Sequence, residues 1–153
     1  MACDETWMRE ALIEAECAGA AGEIPIGAVI VKDGKPIARA HNLCETLHDP
    51  TAHAEILAIR EAARAVGSWR LSDCTLYVTL EPCPMCTGAA INARLSRIVY
   101  AAKDPRAGAC GSLINLPAYP LEARPDCECG LLADESQGLL RAFFREKRGQ
   151  KQH

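Results

Sequence analysis

Hydrophobic and polar positions follow two different periods along the first quarter of the chain. Apolar side chains recur every three or four residues between Thr6 and Ala21, which predicts an amphipathic helix. Two β-rich runs in IGAVIVKDGKPIARAHN flank Asp33 and Gly34, a pair that suits a type I′ hairpin turn. The pattern therefore predicts one helix followed by an antiparallel pair of strands.

Continuous apolar runs separated by helical segments make up the middle of the chain. A loop from Leu43 to Pro50 leads into a helix that we expect Thr51 to cap and Gly67 to end. The run CTLYVTL (Cys74–Leu80) and the later run RIVYAA are typical of strands covered on both faces, and a short helix Pro84–Arg94 separates them. This strand, helix, strand order predicts a parallel pair and hence a mixed sheet.

The last third of the chain is less regular. The stretch CECGLL is predicted to form a final strand before a helix from Asp134 to Arg148. Within that helix Gly138 is expected to cost ~1 kcal/mol relative to alanine. We predict a single domain over residues 1–153, an α/β three-layer sandwich in which a mixed sheet of about five strands has helices on both faces.

Composition and charge narrow the class of protein. No apolar run approaches the ~20 residues that span a bilayer, and the N-terminus is acidic where a signal peptide is basic. We therefore expect a cytoplasmic protein without membrane association. The net charge of -3 argues against a protein that coats nucleic acid, but the basic residues concentrated in residues 138–153 leave room for a local basic patch.

The chain has nine cysteines, which in a reducing compartment indicate metal ligands and buried thiols before disulfides. Cys83 and Cys86 are predicted to share one face at a helix N-terminus, with Pro84 in the first turn. The helix dipole there favours thiolates. A C-x-x-C pair alone is compatible with redox chemistry or with zinc, but redox chemistry would leave His53 and Glu55 without a role.

His53 and Glu55 stand at the predicted start of the helix in HDPTAHAEILAIR. If both face along the helix axis, His53 can join Cys83 and Cys86 as three metal ligands and leave a fourth position for water, as in catalytic zinc sites. Zinc lowers the pKa of such a water to about 7, and Glu55 is then predicted to carry protons beside it. For either residue alone, a core histidine or a solvated glutamate is the simpler interpretation.

The pattern H-x-E followed by P-C-x-x-C is the signature of the zinc deaminases. On these motifs the sequence resembles the cytidine deaminase-like superfamily. The stretches HDPTAHAEILAIR, LYVTLEPCPMCTGAAINAR and AAKDPRAGACGSLINL are similar to the bacterial tRNA adenosine deaminases, and the similarity runs from Trp7 to Arg148. It implies a Zn²⁺ cofactor, hydrolytic deamination of wobble adenosine to inosine with Glu55 as acid and base, a homodimer, and the tRNA anticodon stem-loop as partner.

The resemblance also implies substrate-binding positions. The base is expected to meet the side chain of Asn42, the N–H of Ala54 and the carbonyl of Pro82, and Asp104 is expected near a flanking nucleotide. A loop cap is the alternative for Asn42, and a turn before the following proline is the alternative for Asp104.

The stretch LLRAFFREKR resembles the RNA-contacting end of the same family. On a helix its arginines form one stripe beside a broader apolar face. A solvated charged face is the alternative. The predicted RNA contacts are Arg141, Phe143, Phe144, Arg145 and Arg148.

Two rival functions stay open: a deaminase of a free base or nucleoside, such as guanine or cytosine, and a noncatalytic zinc-stabilised RNA-binding module. Cys127 and Cys129 would share one face of a strand and so raise the question of a second metal site, although no spare histidine or cysteine pair stands nearby. His41 and His48 flank the first motif but are assigned no ligand role.

Overall fold

One mixed sheet forms the centre of the molecule. The computed structural model describes residues 3–151, and within them five strands are ordered β2-β1-β3-β4-β5. β1 pairs antiparallel with β2 and β3, whereas β3, β4 and β5 run parallel to one another. The strands are β1 (Gly27–Lys32), β2 (Lys35–His41), β3 (Cys74–Leu80), β4 (Arg97–Ala102) and β5 (Asp126–Cys129).

Helices cover both faces of this sheet, so the predicted three-layer sandwich is confirmed. α1 and α5 pack on one face, and α3 and α4 pack on the other. Within residues 3–151 no helix combines the length and the hydropathy needed to cross a bilayer. The helices are α1 (Asp4–Ala20), α2 (Cys44–Leu47), α3 (Ala54–Val66), α4 (Pro84–Asn92) and α5 (Ala133–Lys151), with a 3-10 turn at Leu116–Ala118.

The central strands are continuous apolar runs in the sequence because their alternate side chains pack in two different hydrophobic cores, one on each face of the sheet. In β1, Ala28 and Ile30 pack in the core beneath α3, while Val29 and Val31 pack in the core beneath α1. The hairpin turn is also confirmed, since Asp33 and the glycine after it both have positive φ, as a type I′ turn requires.

The start of α3 differs from the prediction, and the expected Thr51 cap is wrong. The hydroxyl and the N–H of Thr51 donate to the Asp49 carboxylate at 2.7 and 2.8 Å, so its side chain closes a local turn before the helix. His53 occupies the N-cap position in an extended conformation. At the other end Gly67, with a φ of 71°, is the C-cap that was predicted.

A buried carboxylate explains α2, a short helix inside the predicted loop Leu43–Pro50. Glu23 is 1% exposed, and it accepts hydrogen bonds from the N–H of Glu45 and from the N–H and hydroxyl of Thr46. These donors belong to the first turn of α2, which therefore has a cap supplied from a distant segment of the chain.

Two other boundaries shift by a few residues, and the last helix is continuous. α4 ends at Asn92, since Arg94 has a φ of 63° and cannot continue the helix. β5 ends before Gly130, so only part of CECGLL is strand. α5 runs through Gly138 without a break.

Candidate metal centre and active site

His53, Cys83 and Cys86 meet where α3 and α4 begin. His53 is the N-cap residue of α3 and Cys83 is the N-cap residue of α4, in which Pro84 occupies the first turn. The Nδ1 atom of His53 lies 3.4 Å from Cys86 Sγ and 3.7 Å from Cys83 Sγ. Nowhere else in residues 3–151 do three or more such side chains gather closely enough to bind one ion.

This donor set fits zinc. Tetrahedral zinc with ordinary Zn–S and Zn–N bond lengths places its ligand atoms about 3.6 Å apart. The observed distances of 3.4 and 3.7 Å from the imidazole to the two sulfurs match that spacing. Three protein ligands leave one tetrahedral position for a small molecule, which is the arrangement of catalytic sites.

The pKa values of the two thiols are shifted in opposite directions. A hydrogen bond from Cys86 and, to a smaller extent, the contact with His53 together lower the pKa of Cys83 to about 4, although burial acts in the opposite direction. The hydrogen bond between the two thiols and burial raise the pKa of Cys86. The hydrogen bond with Cys83 raises the pKa of His53. Cys83 is therefore the thiolate of the pair before any metal binds, and ligation by both sulfurs releases the proton of Cys86.

Glu55 lies in the first turn of α3 beside this group and is 4% exposed. Burial raises the pKa of Glu55 to about 7, although its own backbone N–H and the charge of His53 act in the opposite direction. A carboxyl group with a pKa near neutrality can accept a proton and return it, which is what general acid–base catalysis requires.

Asn42 lies at the end of β2 and caps α3 from outside the helix. Its Oδ1 atom accepts the N–H of Ala54 at 2.9 Å. The side chain is buried, yet among the described residues no hydrogen bond uses its Nδ2 atom. Two residues predicted to contact the base therefore contact each other, and the amide nitrogen of Asn42 has no hydrogen-bond partner among the described residues.

Pro82 and Asp104 both organise the backbone near the metal group. The carbonyl of Pro82 accepts the N–H of Ala109 at 2.8 Å. The Oδ1 atom of Asp104 accepts the N–H of Arg106 at 3.0 Å and that of Ala107 at 3.3 Å, which is the turn considered as the alternative for this residue.

A groove of about 850 Å³ separates α5 from the loop after β4 and from the segment before β1. Leu80 at the end of β3 and Asp104 after β4 both line it, whereas the metal-group residues and Glu55 do not. Phe144 also lines it and is 42% exposed. The cations that line it are Lys103, Arg106, Arg141, Lys147 and Arg148.

Only some of the predicted RNA-contacting residues line the groove. Arg141, Phe144 and Arg148 line it, whereas Phe143 and Arg145 do not. Phe143 instead packs edge to face on Phe144, with ring centroids 5.4 Å apart. A helix turns by 100° per residue, so only part of the arginine stripe reaches the groove wall.

Glu81 is a residue near the site that the sequence analysis did not single out. It is 2% exposed, and its carboxylate accepts the N–H groups of Asp104, Cys110 and Ser112 and the hydroxyl of Ser112. The signal in the sequence is a charged residue at the end of the apolar run LYVTLEPC, where burial of the charge demands partners.

The remaining candidates have other roles. Cys127 and Cys129 lie on β5, and in the described part of the chain they do not join a third ligand. The Nδ1 atom of His41 lies 2.7 Å from the carboxylate of Glu14, which ties β2 to α1. His48 is exposed at the end of α2.

Comparison with known proteins identifies the family. Residues 3–125 match the MafB19-like deaminase family. The tRNA-specific adenosine deaminase of Bacillus subtilis strain 168 is 50% identical over 152 residues, which cover 99% of this chain and 94% of that protein.

Solved structures agree with this assignment. A structure from a study of A-to-I editing by tRNA:A34 deaminases at the wobble position of transfer RNA superposes with a TM-score of 0.86 at 47% identity, covering 88% of this chain and 99% of the other. The guanine deaminase of Bacillus subtilis gives a TM-score of 0.63 at 49% identity, covering 65% and 64%. The predicted cytidine deaminase-like fold is thus confirmed, and the chain belongs to the bacterial tRNA-specific adenosine deaminases within the MafB19-like deaminase family.

Proposed function

We propose that this protein hydrolyses adenosine to inosine at the wobble position of tRNA, with Zn²⁺ as its cofactor and Glu55 as its acid and base. The observation that carries the proposal is the buried Glu55 beside a His-Cys-Cys group, in a chain that is 50% identical to a tRNA-specific adenosine deaminase over almost its full length.

Glu55 would move the protons of the reaction. Zinc held by His53, Cys83 and Cys86 would supply, when bound, the Lewis acidity that activates a water. Glu55 takes one proton from the attacking water and delivers it to N1 of the base; it then takes the remaining hydroxyl proton of that water and delivers it to the departing amine, so that adenosine and water become inosine and ammonia. A pKa of about 7 suits both directions of transfer.

The base would be oriented by groups at the start of α3 and before α4. Asn42 can donate through Nδ2, which no other described residue engages. The carbonyl of Pro82 accepts the N–H of Ala109 at 2.8 Å and the hydroxyl of Thr87 at 3.4 Å, so a substrate donor would have to replace the longer bond from Thr87. The N–H of Ala54 would have to share or exchange its bond with Asn42 in order to reach the substrate.

The anticodon stem-loop is the partner that suits the groove. Its bases are already partly unstacked, which lowers an unstacking cost that is on the order of a few kcal/mol in a duplex. The groove offers cations for phosphates and the exposed ring of Phe144 for stacking a base. Asp104 lines the same groove, in agreement with a position near a flanking nucleotide.

The direct test is detection of inosine after purified protein is incubated with anticodon stem-loops that carry a wobble adenine. Free adenosine, guanine and cytidine serve as parallel substrates, and the Glu55→Gln variant serves as the inactive control. Inosine in the stem-loop alone supports the proposal. Turnover of a free base with none in the stem-loop contradicts it.

Guanine deamination is the second candidate, because a guanine deaminase is 49% identical over 65% of this chain. The basic groove favours the tRNA substrate, since a free base has no phosphates for its cations to contact.

Groove variants test the RNA contacts. Replacement of Arg141 and Arg148 by glutamine should weaken binding of the stem-loop and reduce the salt dependence of binding, because each lost phosphate contact removes released counterions. Arg145→Gln is the matched control, since Arg145 lies on the same helix outside the groove. Equal loss in both variants would mean that general charge, and not the groove, attracts the RNA.

The proposal extends to assembly and location. The chain would act as a single deaminase domain and as a homodimer. Exposed apolar side chains beside α4 favour the dimer: Met85, Leu113, Ile114, Tyr119 and Leu121. Light scattering would measure the oligomeric state. The nine cysteines are free thiols, which suits the reducing cytoplasm.

A further inference from the structure

The carboxylate of Glu81 joins two parts of the site that are distant in sequence. It stands just before the turn that carries Cys83, and its hydrogen bonds go to the loop after β4. One oxygen accepts the N–H of Asp104 at 3.1 Å. The other accepts the N–H of Cys110 at 3.0 Å and that of Ser112 at 3.1 Å.

The loop packs directly on this carboxylate. A Cβ atom at Gly108 would overlap the carboxyl carbon of Glu81 and the carbonyl oxygen of Asp104, so the backbone approaches the carboxylate more closely than any side chain would allow. The N–H of Gly108 donates to the Asp104 carbonyl at 2.8 Å. The loop is therefore folded around the buried charge.

The same loop touches both functional parts of the molecule. Residues 103–107 form one wall of the basic groove. Ala109 follows after Gly108 and donates its N–H to the Pro82 carbonyl, next to Cys83. A displacement of this loop would move the groove wall relative to the metal group.

We infer that Glu81 is a positioning residue that holds the groove wall in register with the metal group and thereby determines how tightly the RNA around the target adenosine is bound. The inference rests on the proposed tRNA function. It requires a carboxylate, because both oxygens accept donors; the NH₂ group of a glutamine would face an N–H in place of one acceptor.

The test compares Glu81→Gln with Asp4→Asn in full-length protein loaded with zinc. Asp4 is the matched control because its carboxylate also accepts several hydrogen bonds, but from Tyr77 and Arg97, away from the loop and the metal group. We expect Glu81→Gln to raise KM for the stem-loop by about tenfold, the ratio expected for loss of one hydrogen bond to a charged group, with kcat and zinc content close to those of the parent. Asp4→Asn should leave KM unchanged.

Hydrogen exchange supplies a readout that is independent of activity. In Glu81→Gln the amides of Asp104, Cys110 and Ser112 should exchange faster, while those of α1 keep their protection. Ser112→Ala removes only the hydroxyl donor and should shift KM in the same direction by a smaller factor, which keeps the test decisive even when Glu81→Gln does not fold.

The outcomes separate the inference from the proposed function. A parent protein that forms no inosine overturns the proposed function, while the exchange of the three amides still decides whether Glu81 holds the loop. An active parent whose KM is unchanged by both Glu81→Gln and Ser112→Ala overturns the inference. The inference is also overturned if kcat and zinc content both fall while KM changes. That result would make Glu81 a general stabiliser of the metal-binding turn.

Discussion

Cys83 is the residue on which the metal assignment can be tested most directly. It is the thiolate of the pair and lies 3.7 Å from the His53 imidazole. Cys83→Ala should abolish stoichiometric zinc binding, because the ligands remaining after this change form a much weaker site. Elemental analysis of purified protein measures this. Cys17→Ala, at an exposed position on α1, is the control, and equal zinc in the two variants would refute the assignment.

Glu55 is the residue on which the proposed deamination depends. Glu55→Gln keeps the volume of the side chain but removes its ability to take a proton, so turnover should fall by roughly 10²–10⁴-fold while zinc content is kept. Single-turnover assays on the stem-loop measure the change. Turnover close to that of the parent would show that another group moves the protons.

Three buried glutamates show why Glu55 differs from a structural acid. Burial tends to raise the pKa of Glu23, Glu55 and Glu81 alike. In Glu23 and Glu81 hydrogen bonds from Thr46 and from Ser112, with the backbone N–H groups nearby, outweigh burial and lower the pKa. Only Glu55 ends with a raised pKa, which indicates an acid that is built to hold a proton.

At the scale of elements, the starts of α3 and α4 carry candidate metal ligands at the positions where helices usually carry capping side chains. Neither His53 nor Cys83 makes a side-chain hydrogen bond to its own helix. For α3 the missing acceptor comes from Asn42, twelve residues earlier in the chain. The N–H groups and dipole at these helix starts instead favour the thiolate.

Helix α5 is stabilised by its contacts more than by its sequence. Ser136 donates to the Thr79 carbonyl at 2.5 Å and fixes the first turn of α5 on the sheet. Gly138 follows in open space, where an added Cβ meets no atom of the described structure within 4 Å. Gly138→Ala should therefore raise the free energy of unfolding by up to ~1 kcal/mol.

Urea denaturation measures this gain in stability. Gly67→Ala is the contrasting control, since Gly67 is also uncrowded but has a φ of 71°, so alanine there should lower stability. Destabilisation by Gly138→Ala would mean that the added methyl disturbs the neighbouring surface between α1 and α5.

At the scale of the whole molecule, Arg97 on β4 ties the first helix to the last strand. Its guanidinium contacts Asp4 at 2.6 Å and Glu128 at 2.5 Å. Hydrogen bonds from Arg97 hold the pKa of Asp4 below its usual range, with a further contribution from Tyr77. The stabilisation is present above the unfolded pKa of aspartate, about 3.9, and is lost as pH falls through the lower folded pKa.

The pH dependence of stability tests this network. Asp4→Asn should reduce stability at neutral pH, and the difference from the parent should shrink as pH falls below about 4. Thermal unfolding at a series of pH values measures it. A difference that stays constant down to strongly acidic pH would show that the charge of Asp4 contributes nothing.

The amino-acid sequence by itself determined the elements, the mixed sheet and the set of candidate ligands, because these depend on periods and spacings of a few residues. Continuous apolar runs mark β3 and β4, Asp33 and the following glycine mark the hairpin, and Gly67 marks the end of α3. Once the segment after Cys83 is helical, as Pro84 in the first turn favours, the C-x-x-C spacing places Cys83 and Cys86 on one helix turn.

The tertiary structure alone decided which side chains meet across the fold. Asn42 and not Thr51 caps α3, because the end of β2 lies against the start of that helix. The partners of Glu81 lie 23 to 31 positions away in the chain, so only the fold shows which backbone groups its carboxylate holds. The helical spacing of the arginines on α5 predicts one stripe for all of them. Only the packing of that helix determines that Arg141 and Arg148 line the groove and that Arg145 does not. Such contacts are set by the whole fold, so no local pattern can encode them.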